Sequence, residues 1–110
     1  MTRESVLQQL QESVPEFCLN PEWIEELLGF PAINDFARFI CSEAEACRWD
    51  EVRKSALFLE RGLTEGDDYV RDLVCECLET LSSCRSIGAL QGYLGPKSLA
   101  LWKDKVADNS

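Results

Sequence analysis

At 110 residues the chain is sized for one domain, able to bury a modest core without a metal or disulfide. The apolar share of 45% and charged share of 28% are ordinary, which leaves charge balance as the outlier: 11 Lys and Arg against 20 Asp and Glu give a net charge of -9, with no His at all. A field of that sign repels phosphate backbones and anionic lipid and favours a basic protein as partner, so no nucleic acid and no membrane is expected to bind directly.

The elements follow from apolar spacing and punctuation. A first helix covers residues 2–14, with Val6, Leu7, Leu10 and Val14 on its apolar side, and Pro15 stops it. Asn20-Pro21 reads as a cap followed by proline at the first helical position. It opens a short helix through Leu28 that Gly29 closes, with Trp23, Ile24, Leu27 and Leu28 facing inward and Glu22, Glu25 and Glu26 outward. A third helix begins at Pro31 and ends near Cys47. On it Ile33, Phe36, Ala37, Ile40, Cys41, Ala44 and Cys47 fall in one arc of about 140° at about 100° per residue.

Residues 50–83 carry two further stripes, hinged at Leu63 to Asp68. Val52, Ala56, Leu59 and Leu63 make the first, and Val70, Leu73, Val74, Cys77, Leu78 and Leu81 the second. That pattern is an antiparallel helix pair. Gly66 is expected to supply the left-handed residue ending one helix, Asp67 to cap the next, and Asp68 to add negative charge to its first turn. Beyond Ser83 the chain loosens through Gly88, Gly92 and Gly95, with a helical turn over residues 87–93. Gly95-Pro96 opens a last helix in which Leu99, Trp102 and Val106 share one side, and residues 108–110 fray. No stretch alternates apolar and polar residues long enough for a strand, so the fold class is all-α: one domain over residues 1–110, a bundle of five to six helices.

Two resemblances refine this. Gly66-Asp67-Asp68-Tyr69-Val70-Arg71 resembles the intra-repeat turn of HEAT and armadillo repeats, which implies a short helical repeat as one form of the bundle. Leu94-Gly95-Pro96-Lys97-Ser98-Leu99-Ala100-Leu101-Trp102, following Phe58-Leu59-Glu60 and the Gly66-Asp67 turn, looks like an uncharacterised family of short bacterial all-helical proteins often found beside polymorphic toxins. The resemblance spans the second half of the chain and implies an immunity role, without assigning any binding residue.

Reactive machinery is sparse. Without His, general-base or nucleophilic chemistry would fall to Cys, Ser, Lys or a carboxylate pair, and the pairs Glu25-Glu26, Glu43 with Glu45, Asp67-Asp68 and Glu76 with Glu79 each lie opposite an apolar stripe, as on a solvated face. No catalytic role is expected. A Cys75-Glu76-Cys77 spacing points two sulfurs about 200° apart on a helix, so no metal and no cofactor is expected. Cys41, Cys47, Cys77 and Cys84 read as small core hydrophobes in a reduced protein, while Cys75, about 140° from Val70, is either packed or part-exposed. With a polar, acidic start and no apolar stretch of about 20 residues, a cytoplasmic location is expected.

Binding then becomes the expected activity. Trp23, Trp49, Trp102, Tyr69, Tyr93, Phe30, Phe39 and Phe58 are too many rings off the stripes for all to be core, and one exposed cluster is expected. The candidate partner-binding residues are Glu43, Glu45, Asp50 and Glu51 around the third-to-fourth helix junction, with Asp67, Asp68, Tyr69, Asp72, Glu76 and Glu79 on the outer side of the fifth helix. The leading expectation is an immunity protein that neutralises a cognate toxin through an acidic surface. Its alternative is an adaptor or regulatory subunit of a larger bacterial assembly; the oligomeric state is open.

Overall fold

In the computed structural model, which describes the backbone of residues 1–108 and the side chains of residues 1–104, seven α-helices and no strand are found among the described residues. They are α1 (Val6–Ser13), α2 (Pro21–Glu25), α3 (Gly29–Glu45), α4 (Trp49–Glu65), α5 (Asp68–Leu81), α6 (Ile87–Leu90) and α7 (Pro96–Asp108), with a 3-10 turn at Gln91–Tyr93. The all-α bundle is therefore as the periodicity implies. Asp108 closes α7, and residues 109 and 110, like the Val106 side chain, lie outside the described part.

The core is the meeting of three stripes. Ile33, Phe36 and Ile40 of α3, Phe58 and Leu59 of α4, and Leu73, Leu78 and Leu81 of α5 are almost completely excluded from solvent, and Val6, Leu7 and Leu10 seat α1 on them. Each such side chain stabilises the fold by about 1.5–3 kcal/mol through the surface it removes from water. Helix α5 is the keystone, packing against α3, α4 and α7. Its direction is fixed by its neighbours along α3: Phe30 meets Tyr69, Asn34 accepts a hydrogen bond from Thr80 at 3.3 Å, and Cys41 shares a pocket wall with Cys84. Helices α3 and α5 run the same way, with α4 antiparallel between their connections.

Several local expectations are corrected. Helix α1 is shorter than residues 2–14, running only Val6–Ser13. Gly66 is not left-handed; at φ -81° and ψ 154° it is extended. Glycine is needed there because a Cβ would press on the Gly62 carbonyl oxygen and lie 2.5 Å from Val70 Cγ1, where the end of α4 closes on the start of α5. Asp67 does cap α5, its carboxylate accepting from the Val70 N–H at 3.0 Å.

Gly29 does not close α2 either. It opens α3, two residues before the expected Pro31, and a Cβ there would collide with the Tyr69 hydroxyl. The left-handed positions belong instead to Leu27, φ 57°, and Cys47, φ 61°. Each sits at the end of a Schellman motif. Leu28 N–H donates to Trp23 O at 2.9 Å and Leu27 N–H to Ile24 O at 3.3 Å; Arg48 N–H donates to Glu43 O at 2.8 Å and Cys47 N–H to Ala44 O at 3.1 Å.

That geometry turns Cys47 into solvent, so it is not the core residue its stripe implied, and Cys41 is only half-buried. Cys77 and Cys84 are buried as expected. None of the α2 side chains is buried, and Leu28 is exposed where an inward position was expected. The α1–α2 connection contributes two buried residues that periodicity missed, Phe17 and Leu19. The Gln11 amide holds them, donating to Phe17 O at 2.9 Å and accepting from Leu19 N–H at 3.1 Å.

Candidate protein-binding surface

The junction set and the Asp67 to Asp72 part of the α5 set lie at opposite ends of α3. Helix α3 is 17 residues long, so at about 1.5 Å per residue roughly 25 Å separates the α3–α4 junction from the end where α5 begins. Glu76 and Glu79 lie further along α5, toward the junction side.

The junction set is largely neutralised. Glu43 is buried, contrary to the solvated face expected of it, because the Schellman turn brings Arg48 back over its carboxylate: Arg48 Nη1 donates to Glu43 Oε2 at 3.1 Å and Oε1 at 3.3 Å. Glu51 accepts from Lys54 Nζ at 3.4 Å, and the same ammonium reaches Glu16 Oε1 at 3.3 Å. Hydrogen bonding first to Glu16 and then to Glu51 holds the Lys54 ammonium above its ordinary pKa. Asp50 is exposed beside Arg53 at 3.8 Å, and Glu45 is exposed on the wall of a surface pocket that also holds Arg38 and Arg85.

The α5 set keeps more of its charge outward. Asp68 is fully exposed, with Arg71 3.8 Å away, and Asp72 is exposed one turn beyond Tyr69 on the same flank of the helix. Asp67 is committed to the cap, Glu76 is half-buried, and Glu79 is exposed at the far end of the helix.

Rings sort in the same way. Phe39, off the stripe of α3, packs half-buried against Phe17 at 5.3 Å and Phe36 at 6.3 Å, and Trp49 stacks parallel on Tyr93 at 5.2 Å. Phe30 differs. It is 42% exposed and meets the half-buried Tyr69 ring edge-to-face at 5.9 Å, with Leu28, 39% exposed, two residues away. Tyr69 is fixed from beneath, its hydroxyl against the Gly29 backbone. Glu25 and Glu26 stand exposed just before Leu28, and Asp68 and Asp72 flank Tyr69. The result is an apolar corner with a carboxylate rim at the α2–α3–α5 end of the bundle.

Sequence reasoning found Tyr69, Asp68 and Asp72 but omitted Phe30 and Leu28 from the binding set. Their signal was available in part: Phe30 lies off the apolar arc of α3 immediately before Pro31. Leu28 carried none, because its exposure follows from the left-handed turn at Leu27.

Among the described residues, no His, Cys, Asp or Glu side chains are grouped so as to hold a metal ion, and no helix is long and apolar enough to cross a membrane. The family model described as "Domain of unknown function (DUF7674)" matches residues 5–108, and the chain belongs to that family. The match takes in all seven helices, and nothing in it links the chain to toxins or immunity proteins. No curated protein and no solved structure matches the chain.

Proposed function

We propose that this family member is a non-catalytic protein-binding inhibitor, an immunity protein that neutralises a cognate bacterial toxin in the cytoplasm by docking an electronegative surface on it. The observation that carries the binding role is the corner of Leu28, Phe30 and Tyr69: two of the three large apolar side chains exposed among the described residues lie here, beside Asp68 and Asp72. An anchor held rigid by the core beneath it loses little entropy on docking, and a rim of carboxylates steers a basic partner onto it. The inhibitor form of that role draws on the net charge of -9 and on the resemblance of the second half of the chain to proteins encoded beside toxins.

Copurification with the product of the adjacent gene tests partnership, and variants then test the surface. Phe30→Ala is expected to weaken the complex by tenfold or more, as loss of a buried aromatic anchor does. Asp68→Lys with Asp72→Lys is expected to slow association at low salt. Undiminished affinity in both variants would refute the placement.

One observation favours the alternative, an adaptor or regulatory subunit of a larger assembly. Leu57 on α4 is 61% exposed in a shallow groove with Ser13, Phe58, Lys54 and Arg61, a second apolar spot with basic edges. Two faces of opposite character suit a bridge between two proteins. Loss of a second partner on Leu57→Ser, with the first retained, identifies that role.

A further inference from the structure

The corner already holds a cation of its own. Arg3 lies with its guanidinium carbon 5.5 Å from the centroid of the Tyr69 ring. The segment before α1 is laid across the start of α5, where the Asp67 N–H donates to Met1 O at 3.0 Å, and a turn closed by Val6 N–H to Thr2 O at 2.8 Å leads into the helix. Arg3 is exposed and makes no ion pair among the described residues, so what holds it there is the π-face of the ring.

We infer that the Tyr69 face is an arginine-binding position, that Arg3 fills it in cis, and that an arginine of the basic partner replaces Arg3 on docking. This rests on the binding role proposed above and names the side chain it recognises. Phe30 meets the Tyr69 ring edge-to-face, which leaves a face to a planar cation, and Asp72 lies one turn along on the same flank. A guanidinium uses both features at once, stacking flat on the ring while its N–H fork pairs with a carboxylate; an ammonium is a compact, strongly hydrated point charge and matches neither so well. The Arg3 contact is weak enough to yield, since an exposed cation–π pair contributes only a few-fold to an equilibrium. The segment itself stays held, by the Asp67 N–H to Met1 O and the Met1 ammonium to Glu65 O, each at 3.0 Å, so only the exposed Arg3 side chain has to swing off the ring.

Two peptides of equal length and charge, one of arginine with glycine and one of lysine with glycine, serve as probes in calorimetric or NMR titrations at low salt. The arginine peptide is expected to bind more tightly. Arg3→Gln is expected to raise its affinity about two- to fivefold by removing the competitor, and Tyr69→Leu to erase the preference for arginine. Tyr69→Phe keeps the ring and is expected to keep the preference, which separates loss of the π-face from loss of folding. Equal binding of the two peptides, sensitive to Asp68→Lys with Asp72→Lys but indifferent to Arg3→Gln, overturns the arginine position while leaving the acidic surface standing. Failure of both peptides to bind overturns the two together.

Discussion

Glu60 of α4 caps the last helix through Ser98, thirty-eight residues further on. One carboxylate oxygen accepts from both the Ser98 N–H at 3.0 Å and the Ser98 hydroxyl at 2.9 Å, and the other accepts from the Lys97 N–H at 3.0 Å. Lys97 and Ser98 are the second and third residues of α7, so the orphan amides of its first turn are satisfied by a side chain from another helix, which also meets the positive end of the helix dipole. Gly95 makes the approach possible: a Cβ there would sit 2.5 Å from the Glu60 carboxyl. The Gly95-Pro96-Lys97-Ser98 run is a docking site for that carboxylate.

Removing the carboxylate should therefore loosen α7 specifically. Glu60→Ala is expected to cost about 1–2 kcal/mol, the range for loss of a helix cap, and Glu60→Gln less, because an amide oxygen still accepts. Urea unfolding gives the magnitude. Faster hydrogen exchange at Lys97 and Ser98, with the α3 and α4 amides unchanged, would assign the loss to the cap.

The same contact predicts a pH dependence. Burial works against the charged Glu60 carboxylate, but hydrogen bonds from the Ser98 and Lys97 amides and the Ser98 hydroxyl outweigh it, leaving the pKa below its ordinary 4.5. A depressed folded pKa contributes stability above the unfolded value and loses it as pH falls through the folded one. The stability gap between the wild type and Glu60→Gln is expected to be constant from neutral pH down to about 5 and to narrow below 4.5. A gap that persisted undiminished at pH 3 would contradict the cap.

Cys47 gives a prediction of opposite sign. It occupies a left-handed position at φ 61° with its side chain in solvent, so a glycine would relieve the backbone without emptying any packed space. Cys47→Gly is expected to stabilise the protein by about 1 kcal/mol, read as a higher urea midpoint at unchanged slope. Leu27→Gly should gain less, because the half-buried Leu27 side chain is lost with the strain.

Thiol reactivity offers an independent check on the packing. Cys18 and Cys47 are exposed and are expected to react first with a thiol reagent in the native state. Burial, with help from the neighbouring Cys84 thiol, pushes Cys41 up to about 12, and burial also raises Cys77, so both should wait for unfolding. Rapid labelling of Cys77 in a folded sample would mean that the α3–α5 seam opens far more readily than its packing implies.

Much of the architecture was legible because helical periodicity is a local property. The stripes of α3, α4 and α5 name their own buried faces, and Ile33, Phe36, Leu59, Leu73 and Leu78 are buried as the spacing requires. Asn20 and Asp67 announce helix starts by the chemistry of a single side chain, and both accept the expected amide, from Glu22 and Val70. Glycine was harder to interpret. Gly29 and Gly66 looked like helix stops by conformational freedom, yet both are there for close approach, to Tyr69 and to Val70, while Leu27 and Cys47 take the left-handed turns.

What the amino-acid order determined by itself is the set of helices, the face each must bury, and an electronegative surface without histidine. Tertiary structure alone decided which charges remain outward and which rings emerge. Arg48 folds back over Glu43, Lys54 reaches Glu16 and Glu51, and Phe30 meets Tyr69 across the α3–α5 seam. The reason is physical: a period of 3.6 residues fixes the direction of a side chain relative to its own axis, whereas its neighbour across a packed interface depends on how far each helix slides and where each loop turns. Glu60 and Ser98 show the limit most plainly, since nothing local to either residue announces the other.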